Sequence, residues 1–255
     1  MGPSFLSLPP RSTKPRRAGL THVLDRGLPV SATTEILESV GEHVDVWKFG
    51  WGTAYVDRGL DRKLAVLKDH EVASCLGGTL LEIAWSQGRA EQCLEWARRS
   101  GFDAVEVSRG VADMPLDAKR ELVKSAAETF VVLAETGVKD AAVVLSSRQW
   151  RDEIAEDLAA GATWIIAEGR ESGTVGIYDS AGVPKPDIID AAVDAAGLDR
   201  VLFEAPRKDQ QAWLISRFGP DVNLGNIAPA EVLPLTTLRL GLRADTAPLS
   251  LGRPL

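Results

Sequence analysis

A closed barrel of eight parallel strands, each followed by a helix, is the fold this sequence predicts. Three observations predict it. Apolar runs and amphipathic helical patterns alternate along the chain, and strict alternation implies parallel pairing. Helical patterns stop on glycine just before the next apolar run, where the residue after a helix often needs positive φ. The 255 residues match what eight such units require, because a (β/α)8 barrel typically takes about 250.

The elements follow in order. The first strand is Leu20–Leu24. A helix over Thr34–Val40 stops at Gly41, and the second strand, Val44–Phe49, follows. Leu60, Leu64 and Leu67 mark the next helix by their spacing, and Val72–Leu76 is the third strand. The helix Glu91–Ser100 stops at Gly101 before the fourth strand, Ala104–Val107, and Phe130–Ala134 is the fifth. Ile154 and Leu158 lie on the helix Arg151–Ala160, which stops at Gly161 before the sixth strand, Thr163–Ala167. Arg200–Phe203 is the seventh strand, Leu214 and Phe218 mark the helix after it, and Asp221–Leu224 is the eighth strand. The runner-up is a doubly wound open sheet, which usually carries a glycine-rich phosphate turn after its first strand. Here that strand runs into Asp25-Arg26-Gly27-Leu28-Pro29, which is no such turn.

One domain is expected over residues 19–246. Residues 1–18 combine proline, serine and basic residues without an acid, and read as a disordered tail; 247–255 read as a second loose tail. With 45% hydrophobic and 25% charged residues the composition is that of a globular protein. A net charge of −7 without a basic stripe argues against nucleic acid as a partner. No apolar run reaches membrane-spanning length. The two cysteines, Cys75 and Cys93, form neither a metal spacing nor a disulfide framework, so a cytoplasmic location is expected.

In such a barrel the active site lies at the carboxyl ends of the strands. Those ends carry Asp25, then Lys48, then the Gly77-Gly78-Thr79 turn, then Glu106 with Ser108 and Arg109. Glu135 with Lys139, the group Glu168, Arg170 and Glu171, Glu204 with Arg207 and Lys208, and finally Asn223 and Asn226 complete the series. Lys48 and Glu106 lie inside their strands. A solvated rim of ion pairs is the bland explanation. Four strands each supplying a carboxylate, with cations between them, suit instead a divalent metal beside an anionic ligand. Gly77-Gly78-Thr79 reads either as a tight turn or as backbone N–H groups cradling an anion. Trp51, between two glycines after a strand, is expected to wall a pocket. His22 reads as a packed strand residue and Cys75 as a small buried hydrophobe.

These strand ends resemble the phosphosulfolactate synthase family from about Gly19 to Thr246. The resemblance is carried by Val23-Leu24-Asp25 with Gly27-Leu28-Pro29, by Lys48-Phe49-Gly50-Trp51-Gly52-Thr53, by Gly77-Gly78-Thr79 and by Glu168-Gly169-Arg170-Glu171-Ser172-Gly173. Phe203-Glu204-Ala205-Pro206, Lys208 with Gln210-Gln211, Asn226-Ile227, and Leu238-Arg239 through Asp245-Thr246 extend it. A plant heat-stress-associated protein shares the pattern. The resemblance implies a (β/α)8 barrel and a lyase that adds sulfite to phosphoenolpyruvate with magnesium. The partners it implies are small anions and further copies of the chain in a homo-oligomer. On this basis Glu135, Glu168 and Glu204 are the metal candidates, with Asp25 in reserve. Lys139 is the candidate general acid, and Arg170 and Glu171 join it as catalytic candidates. Lys48, Trp51, Gly78, Ser108, Arg109, Lys208, Asn226, Arg239 and Arg243 are the substrate-binding candidates; the last two follow the final strand, where barrels often bind phosphate.

The chain departs from the family at Arg109, where an acid is usual, at Thr136-Gly137-Val138-Lys139, where one of two lysines is kept, and at Ala244, where glycine is common. Placed at the mouth of the site, Arg109 is expected to move nucleophile choice away from free sulfite. A phosphoenolpyruvate enzyme with another nucleophile, and a non-catalytic stress-associated barrel, are the two alternative functions.

Overall fold

The computed structural model describes residues 5–137 and 145–252. Among these, eight strands close into a barrel in chain order, all pairs parallel. They are β1 (Thr21–Asp25), β2 (Val46–Phe49), β3 (Ala73–Leu76), β4 (Ala104–Val107), β5 (Val131–Thr136), β6 (Trp164–Ala167), β7 (Val201–Glu204) and β8 (Asn223–Ile227). The helices between them are α1 (Val30–Val40), α2 (Thr53–Val56), α3 (Leu60–Asp69), α4 (Gly78–Ser86), α5 (Ala90–Ser100), α6 (Leu116–Ala127), α7 (Ser147–Ala160), α8 (Pro186–Ala196), α9 (Lys208–Phe218) and α10 (Val232–Arg239).

Gly101 and Gly161 end α5 and α7 with φ of 90° and 116°, as their place in the sequence predicts. Gly41 differs: its φ is −56°, because the chain tightens into a 3₁₀ turn over Gly41–His43 instead of stopping. The eighth strand also lies later than its apolar run suggests. Gly225 pairs with Glu204 and its carbonyl accepts the Ala205 N–H, so the ladder continues past Leu224.

Side chains alternate across each strand, and this alternation places the charges. Val46, Cys75, Ala104, Leu133, Ile166 and Leu202 point inward and form an apolar plug in the barrel. Their neighbours Trp47, Val105, Ala134, Ile165 and Phe203 belong to the larger core shared with the helices. Two residues after plug members Val46, Ala104, Leu133, Ile166 and Leu202 stand Lys48, Glu106, Glu135, Glu168 and Glu204. A period of two thus stacks a charged layer on an apolar one, toward the carboxyl ends.

The amino end of the barrel is closed from below. The Arg239 guanidinium is 1% exposed and donates to the carbonyls of Val222 (2.7 Å) and Leu20 (3.1 Å). The segment expected to be a loose tail packs here over its described residues. Arg11 pairs with Asp221, Arg16 with Asp45 at 3.0 Å, and Lys14 donates to the His70 and Glu71 carbonyls. Its basic residues without acids are the complement of carboxylates and carbonyls gathered at the strand starts. Residues 247–250 are also ordered, in a 3₁₀ turn over Ala247–Leu249, with the Ser250 hydroxyl donating to Leu240 O.

Candidate active site

The charged layer forms the floor of a cavity of about 150 Å³ at the carboxyl ends of the strands. Lys48 Nζ sits 2.9 Å from Glu106 Oε1 and 3.3 Å from Glu204 Oε1. One oxygen each from Glu106, Glu135 and Glu204 lie within 4.8 Å of one another. Burial alone would depress the Lys48 ammonium, but Glu106, Glu204 and Glu135 outweigh it and hold the group above the ordinary lysine range. Lys48 is therefore a cation at any physiological pH. The other oxygens of Glu106 and Glu204 are tied to the backbone. Glu106 Oε2 accepts the Gly78 N–H at 2.9 Å; Glu204 Oε2 accepts the N–H groups of Gly169 and Arg170 at 2.9 and 2.7 Å. Glu168 Oε1 takes the Arg170 N–H as well, at 2.6 Å.

Trp51, Thr79, Val111, Arg170, Glu171 and Asn226 wall the cavity above this floor. Trp51, Arg170 and Asn226 hold left-handed backbone, with φ of 53°, 57° and 55°. Non-glycine residues rarely adopt this region, and strain of this kind tends to gather at functional sites. Asn226 is 6% exposed, and among the described residues no donor reaches its Oδ1. Buried amide oxygens are normally hydrogen-bonded.

Two buried networks support the walls. Glu82 of α4 is fully buried; its carboxylate accepts the Ser108 hydroxyl and the successive N–H groups of Gly110, Val111 and Ala112 at 2.8, 2.7 and 3.0 Å. It thereby holds the loop after β4, including Val111, at the cavity. Lys119 of α6 is also fully buried. Its ammonium donates to the Glu135 carbonyl at 2.7 Å, to Glu153 Oε1 at 2.8 Å and to Asp157 Oδ2 at 2.6 Å. The end of β5 is thus anchored from outside the barrel.

The profile of the (2R)-phospho-3-sulfolactate synthase family matches residues 9–245. The chain belongs to the phosphosulfolactate synthase family. It is 42% identical to the phosphosulfolactate synthase of Methanocaldococcus jannaschii, over 89% of this chain and 93% of that one. It is 39% identical to the phosphosulfolactate synthase of Methanothermobacter thermautotrophicus, over 93% and 95%. Among solved structures, a 3-hexulose-6-phosphate synthase superposes with a TM-score of 0.54 at 18% identity, covering 87% of this chain and 99% of that one, a likeness of fold alone.

Of the site residues the family pattern implies, Lys48, Trp51, Glu135, Glu168, Arg170, Glu171, Glu204 and Asn226 line one cavity. Lys139 lies outside the described residues. The compact carboxylate trio contains Glu106 in place of Glu168, which stands beside it in the same cavity. Glu106 is legible as the second residue after an inward-facing alanine. Asp25 does not line the cavity, and both its carboxylate oxygens are already used. Oδ1 accepts the N–H groups of Gly27 and Leu28, and Oδ2 accepts Trp47 Nε1 and Lys63 Nζ. Gly78 and Ser108 serve the frame: Gly78 opens α4 against Ser108, whose hydroxyl is donated to Glu82. Lys208 pairs with Asp245 at 2.7 Å and does not line the cavity. Arg243 does not line it either, and Arg239 is buried at the opposite end of the barrel.

Arg109 is also corrected. Its guanidinium turns to Glu153 of α7 at 3.2 Å and lies outside the cavity lining. Arg109→Asp would set a carboxylate against Glu153, which is 4% exposed. It is expected to cost about 1–3 kcal/mol of stability and to leave the preference among nucleophiles unchanged. Urea unfolding together with competition between nucleophiles checks both halves; a changed preference at unchanged stability would return Arg109 to the site.

Proposed function

We propose that this chain is a magnesium-dependent lyase that joins sulfite to phosphoenolpyruvate, giving a phosphosulfolactate. The observation that carries the reading is the charge of the cavity. Among the described lining residues, Glu106, Glu135, Glu168, Glu171 and Glu204 stand with the cations Lys48 and Arg170. So acidic a surface attracts a divalent cation, which would enter beside an anionic substrate. The trio offers oxygen donors only, with no histidine or cysteine, and that donor set suits a hard divalent ion such as magnesium. Glu106, Glu135 and Glu204 would hold it. When bound, the ion supplies positive charge beside a carboxylate that becomes an enediolate.

The remaining chemistry belongs to side chains. The sulfite sulfur lone pair forms a bond to the methylene carbon of phosphoenolpyruvate. The double-bond electrons move into the carboxylate, and the central carbon then takes a proton while the phosphate ester stays intact. Arg170 has the planar fork that a carboxylate or phosphate accepts. Lys139 keeps the role of proton donor that the family pattern implies. Trp51 and Val111 give the mouth its apolar wall. The alternative with another nucleophile drew partly on Arg109, whose guanidinium pairs with Glu153.

Incubating the chain with phosphoenolpyruvate, sulfite and magnesium tests the proposal. A phosphorylated sulfonate is expected by mass spectrometry and phosphorus NMR, lost on chelation and restored by magnesium. Inorganic phosphate as the only new phosphorus species, or product formation untouched by the chelator, would defeat it. Among the described residues no helix is long and apolar enough to cross a membrane. The cytoplasmic homo-oligomer that the family pattern implies is tested by fractionation and by light scattering.

A further inference from the structure

We propose that the Lys48 ammonium is a tethered counter-cation, which an entering divalent metal ion displaces from Glu106 and Glu204. This rests on the metal reading of the carboxylate trio given above. Glu106, Glu135 and Glu204 are 3%, 5% and 1% exposed. Charges this close and this buried are paired with a counter-charge. The barrel supplies one from its own second strand: Lys48, itself 6% exposed.

The geometry makes the lysine and a metal ion competitors. Glu106 Oε2 and Glu204 Oε2 are held by backbone N–H groups. Their Oε1 atoms are what remains to face a central ion, and those two atoms are the partners of Lys48 Nζ at 2.9 and 3.3 Å. A lysine is suited to exchange because its charge is compact and its stem flexible. Displaced, the ammonium remains attached to β2 at the cavity floor, where an anionic substrate needs a cation. Metal entry thus releases a second cation for the substrate.

Calorimetric titration of Mn2+ into the full chain and into Lys48→Met tests this. The variant lacks the competitor and is expected to bind Mn2+ at least about tenfold more tightly. Equal or weaker binding by the variant overturns the exchange and leaves the metal reading in place. Binding by neither protein removes both. Should Lys48→Met fail to fold, the wild-type chain decides, through the 15N resonance of the Lys48 ammonium. That resonance is expected to shift in step with Mg2+ binding, and a resonance that stays in place while the metal binds overturns the exchange.

Discussion

Lys119→Met is expected to cost about 3–5 kcal/mol of folding stability, the range seen when one partner of a buried ion pair is removed. Against a total of about 5–15 kcal/mol for a domain, that brings the chain close to unfolding. The lysine is fully buried and its ammonium holds Glu153, Asp157 and the Glu135 carbonyl. Its loss strands two carboxylates that are 4% and 1% exposed. The pH dependence should change with it. In the wild type, burial pushes the Glu153 carboxyl up, but Lys119 and Arg109 outweigh burial and hold it below its ordinary 4.5. A depressed acid contributes stability above its unfolded pKa, and this is lost as pH falls through the folded value. For Asp157 burial prevails over Lys119, and its pKa is raised. Without Lys119 both acids are driven upward, so the folded state binds more protons than the unfolded one. The variant should then gain stability as pH falls from 7.5 toward 5.5, while the Glu153 contribution of the wild type is still fully present there. Urea unfolding at the two pH values measures this. A loss under about 1 kcal/mol, with no gain toward pH 5.5, would mean that water or a shifted Arg109 replaces the ammonium.

Lys119 also shows what a sequence of this kind conceals. The barrel was legible because strand and helix periods alternate and because a strand period of two sorts residues without reference to distant partners. The cavity floor was legible for the same reason: Lys48, Glu135 and Glu204 follow apolar plug residues by two. Lys63, Glu82, Lys119, Glu153 and Asp157 are different. Each is a charged residue on a helix, and helical patterning alone assigns such residues to solvent. Each is buried here because a specific partner waits on another element: Asp25 for Lys63, Ser108 for Glu82, and Glu153 and Asp157 for Lys119. Pairing across helices separated by dozens of residues leaves no local periodicity. Arg239 and the basic residues of 5–18 were misplaced by the same gap. Their charge suggested a phosphate or a disordered tail, and their partners are carbonyls and carboxylates at the strand starts.

Glu204→Gln should abolish most of the proposed activity, with a loss of at least about 100-fold. That figure is the upper end for an outer-sphere partner of a metal, and Glu204 is a candidate inner ligand. The substitution keeps the shape and removes one charge from the trio. It also creates a conflict that geometry makes unavoidable. One carboxylate oxygen accepts the N–H groups of Gly169 and Arg170 while the other faces Lys48. An amide has a single oxygen, so its NH2 must face donors on one side or the other. If the oxygen stays with the backbone, the trio loses a ligand and Lys48 a partner. If it turns to Lys48, the strained turn at Arg170 loses two hydrogen bonds and the guanidinium is no longer aimed. Metal affinity and substrate KM separate the two outcomes. Mn2+ binding weakened at unchanged KM marks the first, and raised KM with retained Mn2+ affinity marks the second. Glu168→Gln provides the control. Glu168 touches the same Arg170 N–H but stands outside the compact trio, so its effect should fall on KM and by less. If instead Glu168→Gln lost metal affinity and Glu204→Gln did not, the metal would have to be placed at the loop after β6, and the trio would be a counter-ion for Lys48 alone.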